Sequence, residues 1–149
     1  MSMQIDLAQL VAAIGDALVV SDTSGAITVW NPAAERLFGF TQAEALGQSM
    51  DIFIPEKLRK RHWDGYHETM RSGVTKYGTE LLRVPAINKA GASLSIAFTV
   101  ALLQGPDGQP AAIAAVIRDE TGRFAEDRAL RKRVAELEAQ VLVGLARPV

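Results

Sequence analysis

One histidine stands in an apolar stripe, and it is the residue whose type and position best suit cofactor chemistry. Steps of four along the segment 55–72 bring Leu58, His62, Tyr66 and Met70 onto one side of a predicted helix. A neutral imidazole that points into the interior can bind haem iron through its Nε2 atom. The alternative is a core or boundary histidine satisfied by a backbone carbonyl. The spacing alone leaves both interpretations open.

The composition of the chain excludes several other kinds of functional site. The chain has 149 residues, 48% hydrophobic residues, a net charge of −1 and no cysteine. The lack of cysteine excludes disulfide frameworks, thiolate zinc sites and iron–sulfur clusters. The sequence contains neither a glycine-rich phosphate loop nor a plausible nucleophile–base pair, so we expect no enzyme. The charge balance gives no reason to expect nucleic-acid binding, and the absence of an 18-residue apolar stretch favours a cytoplasmic protein that does not span a membrane.

The elements that must position His62 follow from periodicity and from turn and cap signals. Two predicted hairpins separated by helices imply an α+β fold, with one antiparallel sheet that carries helices on a face. The clearest strand is 94–102, where large apolar and small residues alternate. In order, we predict a helix over 5–14, strands over 17–22 and 26–30, helices over 32–39, 41–47 and 55–73, strands over 81–87, 94–102 and 111–118, and a helix over 121–143.

The last helix has a pattern that favours self-association. Leu130, Val134, Leu137 and Val141 are spaced four, three and four residues apart, which places β-branched residues at a and leucine at d of two heptads. This arrangement is typical of a parallel two-stranded coil. The alternative is an amphipathic helix that folds back on its own domain. We expect a homodimer formed through the terminal helices.

The chain resembles a PAS domain over roughly residues 14–121. The resemblance rests on five segments in order: 22–25 (DTSG), 30–40 (WNPAAERLFGF), 45–47 (ALG), 88–91 (NKAG) and 118–121 (RDET). It implies a five-stranded antiparallel PAS sheet over 16–121, an N-terminal cap helix over 1–15 and a signalling or dimerisation helix over 122–149. It also implies a sensor or protein-pairing module. A flavin–cysteinyl adduct is excluded because the chain has no cysteine.

A second, local resemblance concerns the cofactor. The stretch Pro55-Glu56, Arg59 and Arg61-His62 is similar to the haem-binding helix of bacterial oxygen-sensing PAS kinases, and His62 falls on the proximal iron ligand. This implies haem b with His62 as the metal ligand. The expected lining residues are Leu58, Tyr66, Met70, Lys76, Leu82, Ile96, Phe98 and Val100.

The resemblance to the haem-binding domains does not extend to two of their functional arginines. The arginine that those domains use to hold dioxygen falls on Leu82, and an arginine that meets a propionate falls on Glu68. Two functions therefore remain. The first is a haem-based gas or redox sensor that acts on a separate signalling partner. The second is a PAS domain that binds another small metabolite, or no ligand, and serves as a protein-interaction module.

Overall fold

The computed structural model describes residues 3–146. The chain divides into two compact units, residues 1–119 and 120–149. The first unit contains the whole sheet, and the second contains the last helix.

Helices and strands follow the predicted order with small shifts of their ends. The helices are α1 (Leu7–Ala13), α2 (Pro32–Phe38), α3 (Gln42–Ala45), α4 (Glu56–Ser72) and α5 (Thr121–Ala146), and a 3-10 turn spans Met50–Ile52. The strands are β1 (Ala17–Asp22), β2 (Ile27–Trp30), β3 (Leu82–Ile87), β4 (Ser93–Gln104) and β5 (Pro110–Asp119).

The strands form one five-stranded antiparallel sheet in the order β2-β1-β5-β4-β3. The expected α+β class and antiparallel sheet are therefore confirmed. Pro85 lies in β3, which is an edge strand. An edge position is expected for proline, because its nitrogen carries no hydrogen to donate to a neighbouring strand. The first and last strands of the chain, β1 and β5, are neighbours in the sheet, which places Ala17 opposite Ile117.

Local signals explain where the helices near the sheet begin and end. The Asn31 side chain accepts a hydrogen bond from Ala34 N at 3.0 Å and caps α2, while Pro32 occupies the first turn. This helix ends at Gly39, which adopts φ +82°. The capping box of α3 is also present, with reciprocal bonds between Thr41 and Glu44.

The core lies between one face of the sheet and the helices α2 to α4. Trp30, Phe38 and Phe53 form its centre, with ring centroids 4.8–6.0 Å apart. Ile96 from β4 and Ile117 from β5 add the sheet's contribution, at 4% and 3% exposure. Burial of these side chains is the main stabilising contribution of the domain.

The helix α5, considered by itself, is a single run of 26 residues with no buried residue. Its predicted a and d residues are all exposed in the single chain, from 43% for Leu137 to 66% for Leu130. None of the helices within residues 3–146 is long and apolar enough to cross a membrane.

Candidate functional site on helix α4

The predicted apolar stripe is the inward side of α4. Tyr66 is 6% exposed, and Leu58 and Met70 are half-buried and pack on the core. His62 is also half-buried, one turn before Tyr66. The four-residue spacing thus identified correctly which side of the helix faces the domain.

The Tyr66 hydroxyl joins α4 to the end of β1. It donates to the Asp22 carbonyl and lies 2.9 Å from Oγ of Ser21, a residue that is only 1% exposed. Burial raises the pKa of Tyr66, opposed by the hydrogen bond with Ser21. The phenol therefore remains protonated and serves as a neutral donor at neutral pH.

Replacing Tyr66 with phenylalanine should lower the free energy of unfolding by about 1–3 kcal/mol, because it leaves the buried Ser21 hydroxyl without its phenol partner. Urea denaturation of the two proteins measures this difference. The exposed Tyr77 offers a matched control, since Tyr77→Phe removes a hydroxyl from a side chain that is 41% exposed. Equal losses in both variants would contradict the role assigned to the Tyr66 hydroxyl.

Trp63 is a site residue that the four-residue stripe missed. Its indole Nε1 donates to Oδ1 of Asp51 at 2.8 Å, and its six-membered ring lies directly over Gly25 in the β1–β2 turn. A signal was present, because Trp63, Tyr66 and Met70 follow a spacing of three and four residues that defines a parallel stripe. Trp63 and Tyr66 together fix α4 against the β1–β2 hairpin.

His62 has a buried polar atom that the protein does not satisfy. Its Nδ1 is the one side-chain nitrogen or oxygen in residues 3–146 that is buried without a hydrogen-bond partner. The ring is in edge contact with Trp63, with centroids 4.6 Å apart. Burial lowers the pKa of His62 below its ordinary value, against the opposing influence of the Asp51 carboxylate. The imidazole is therefore neutral at neutral pH.

His67, the second histidine of the chain, differs from His62 in its surroundings. It is exposed and stacks on the outer side of Trp63, with centroids 5.9 Å apart. Because His67 lies on the same helix but outside the stripe, it provides a control for experiments on His62.

The sheet residues expected to line the site share one face of β3 and β4. Leu82 pairs with Phe98, and both lie on the same face as Ile96 and Val100. Ile96 is buried, whereas Leu82, Phe98 and Val100 are half-buried. Lys76 is exposed in the segment between α4 and β3 and does not join this face.

Protein side chains fill much of the space between α4 and the sheet. Leu58, Met70 and Phe98 all pack on the core cluster. Two open depressions on the surface of residues 3–146 lie elsewhere. An open depression of about 550 Å3 borders Pro55 to Lys57 at the start of α4, and one of about 400 Å3 lies on α5. In this conformation α4 is closed onto the sheet.

Comparison with known proteins identifies the fold and a signalling relative. The chain is 42% identical over 66 residues to the sensor protein FixL of Bradyrhizobium diazoefficiens. The matched stretch covers 44% of this chain and 13% of that relative. It is 30% identical over 118 residues to an uncharacterised protein of Azorhizobium caulinodans, covering 78% of this chain and 16% of the relative. The chain thus spans less than a fifth of the length of these curated relatives.

A solved structure and a family model agree on the fold. The PAS domain of a protein from Colwellia psychrerythraea superimposes with a TM-score of 0.68 at 22% identity, covering 78% of this chain and 95% of that one. The model of the PAS fold family matches residues 5–120. The chain therefore belongs to the PAS fold family and contains a PAS sensory domain.

Proposed function

We propose that this PAS domain is a haem-based gas or redox sensor in which His62 is the axial ligand of a b-type haem. The observation that carries the proposal is the neutral, half-buried imidazole on the inward side of α4, which no hydrogen bond at Nδ1 commits to a structural role. A buried polar atom without a partner costs about 1–3 kcal/mol, so a fold that retains one has given up stability at that point. The similarity to FixL over 66 residues supports the same assignment.

The residues of this site are suited to bind the iron of a haem. A neutral imidazole is the ligand form that iron requires, and burial keeps His62 in that form. Leu58, Met70 and Phe98 are apolar side chains suited to contact the flat faces of a macrocycle. Room for the macrocycle requires α4 to move away from the sheet, because these same side chains now pack on the core.

Different residues of the chain would have different roles at this site. A bound haem would supply an iron position at which a diatomic gas binds or a redox change occurs. His62 would hold the iron, and the inner face of β3 and β4 would exclude water. Trp63 and Tyr66 link α4 to the β1–β2 hairpin, so a displacement of α4 at the ligand is passed to the sheet. Lys76, although exposed, is within the adjoining segment and could pair with a propionate.

The visible spectrum of the chain, purified after expression with ample haem or mixed with haemin, tests this function. We expect a Soret band equivalent to one haem per chain, and loss of that band in His62→Ala. The variant should stay folded, since Nδ1 makes no hydrogen bond that alanine would remove. His67→Ala is the matched control and should bind haem like the unaltered chain. A colourless unaltered chain, or an unchanged band in His62→Ala, would contradict the proposal.

A second candidate function has an observation in its favour. The closed packing of α4, held by the Tyr66 hydroxyl and by Trp63 over Gly25, is what a PAS domain without a resident cofactor requires. Such a domain would act as a protein-interaction module for a separate signalling partner, or would bind a smaller metabolite. A colourless chain after haemin titration, with an unchanged circular-dichroism spectrum, is the outcome that favours this function.

We further propose that signalling involves a homodimer in which α5 pairs in parallel with its copy. An isolated helix gains little stability in water, and none of the α5 residues is buried in the single chain. In the heptad register set by Val134 and Val141, Arg133 at g faces Glu138 at e of the other copy. One heptad earlier along the coil, Glu126 at g faces Arg131 at e of the other copy, with the opposite order of charges.

Placing a charge at the centre of this stripe should weaken the dimer. Leu137→Glu puts a carboxylate at a d position and is expected to raise the dimer dissociation constant at least tenfold, because a charge buried without a partner is strongly unfavourable. Ala139→Glu introduces the same charge at the outward f position and is the matched control. Sedimentation equilibrium measures both constants. Equal dissociation constants for the two variants would place α5 outside the dimer interface.

A further inference from the structure

The helix α5 carries a second line of residues on the side opposite to its a and d positions. In the heptad register used above, the residues at b and f follow one another at steps of four and three along the helix. We call this line the outer stripe, and it consists of Arg128, Lys132, Ala135, Ala139, Leu142 and Ala146. Its first two members are cations, and its last four are apolar.

A two-stranded coil does not cover the outer stripe. Such a coil buries mainly its a and d residues, while the residues at b, c and f face water and are normally polar. Here Leu142 at b is 67% exposed and Val143 at c is 60% exposed. Over residues 134–146 the only charged side chains are Glu136 and Glu138. A helix that is apolar on two opposite sides is typical of a position inside a bundle of more than two helices.

The two cations of the outer stripe have no acidic partner. The neighbouring Arg131 pairs with Asp127 at 3.0 Å. By contrast, Arg128 and Lys132 make no ion pair within residues 3–146. They stand four positions apart on one side of the helix, where like charges disfavour each other. A carboxylate brought to this end of the outer stripe by another chain would therefore be stabilised.

A second copy of α5 does not suit the outer stripe. If two outer stripes packed in parallel, Arg128 and Lys132 would face their own counterparts, and like charges would repel. In the antiparallel order the cations would be covered by the apolar half of the stripe without any carboxylate, which is also unfavourable. The surface therefore favours a helix of different sequence that carries acidic residues.

We propose that the outer stripe binds an α-helix of a separate signalling partner. This helix has glutamate or aspartate opposite Arg128 and Lys132, and large apolar residues opposite Ala135 and Ala139. The alanines leave room for large side chains, and the open depression of about 400 Å3 on α5 borders Ala139 and Val143. The proposal rests on the parallel dimer proposed above, which occupies the a and d residues. One such helix on each copy completes a four-helix bundle.

A synthetic helical peptide of this chemistry tests the proposal on the full chain. The labelled peptide has glutamate at the a and d positions of its first heptad and leucine at those of its later heptads. Fluorescence anisotropy measures its dissociation constant. We expect Ala139→Glu to raise this constant at least tenfold, because the new carboxylate would be covered by leucine. A peptide that does not bind the unaltered chain, or that binds Ala139→Glu equally well, would overturn the proposal.

An exchange of charges tests the role of the two cations. The double variant Arg128→Glu/Lys132→Glu should bind the glutamate peptide at least tenfold more weakly, and should prefer a peptide with lysine in place of the glutamates. Lys76→Glu/Arg83→Glu is the matched control, since it reverses two exposed cations of the first compact unit and should change binding less than twofold. Equal weakening in both double variants would reflect net charge alone and would overturn the proposal.

Sedimentation equilibrium distinguishes this proposal from the dimer on which it rests. Leu137→Glu should weaken the dimer while the peptide still binds, and an unchanged dimer in this variant would contradict the dimer alone. Loss of peptide binding in Leu137→Glu would place the peptide on the a and d residues and overturn the present proposal. Tetramers of the unaltered chain that disappear in Ala139→Glu would identify a second copy as the occupant and would also overturn it. None of these measurements depends on whether haem binds.

Discussion

Replacing Gly25 with alanine is expected to lower the free energy of unfolding by about 3 kcal/mol or more. Gly25 turns the chain between β1 and β2 with φ +88°, a left-handed conformation that costs a residue with a Cβ about 1–2 kcal/mol. The added Cβ would also overlap the Cζ3 and Cη2 atoms of Trp63, far closer than a van der Waals contact. Overpacking of this kind adds a further 1–3 kcal/mol, roughly.

The indole cannot move aside freely. Its Nε1 donates to Oδ1 of Asp51 at 2.8 Å, and its ring contacts both His62 and His67. Relief of the overlap therefore requires α4 to shift, together with the imidazole proposed to hold haem.

Gly47→Ala is the matched control for the backbone effect. Gly47 has φ +82°, almost the value of Gly25, but an added Cβ meets no atom within 4 Å. Urea denaturation should show a loss of only about 1–2 kcal/mol for this variant. If the two variants lose the same stability, the contact between Gly25 and Trp63 does not hold α4 as described. In a double variant Gly25→Ala/Trp63→Ala, the stability lost to steric overlap with the indole should be partly recovered. The stability lost because alanine adopts the left-handed conformation should not be recovered.

The fold was predictable because its signals are local. The alternation over 94–102 identifies β4, and the Asn31-Pro32 pair and the Thr41–Glu44 box identify the starts of α2 and α3. The 3-10 turn Met50–Ile52 was not predicted, since its single turn has no periodicity to detect. Strand ends shifted by one or two residues because ladder pairing, rather than the residues themselves, decides where a strand ends.

The site was predictable only in part. Spacing shows that Tyr66 points inward, but its partners Ser21 and Asp22 lie more than forty positions away along the chain. The contact of Trp63 with Gly25 is likewise a property of the tertiary structure. Whether the stripe faces an open cavity or a filled core also depends on packing across elements. For this reason the sequence predicted the helix face and left its ligand open.

Asn31 shows how a residue with a correctly predicted local role carries a larger tertiary one. Besides capping α2, its Oδ1 accepts from Leu18 N at 2.8 Å, and its Nδ2 donates to the carbonyls of Val11 and Asp16. The side chain thus joins α1, the start of β1 and the start of α2. The sequence signal specified only the cap.

Replacing Asn31 with alanine is expected to lower the free energy of unfolding by about 3 kcal/mol or more. The lost cap accounts for about 1 kcal/mol. The remainder comes from the amide of Leu18 and the carbonyls of Val11 and Asp16, which lose their partner next to a residue that is 3% exposed. Chemical denaturation measures the total.

Thr41→Ala removes a cap that makes no long-range bond and is the matched control, with an expected loss of about 1 kcal/mol. An equal loss in both variants would mean that the bonds to α1 and β1 contribute nothing. Hydrogen exchange adds a second readout, because Asn31→Ala should abolish protection of the α1 amides while Thr41→Ala leaves it intact. The stability of the domain and the position of α1 thus depend on one buried amide.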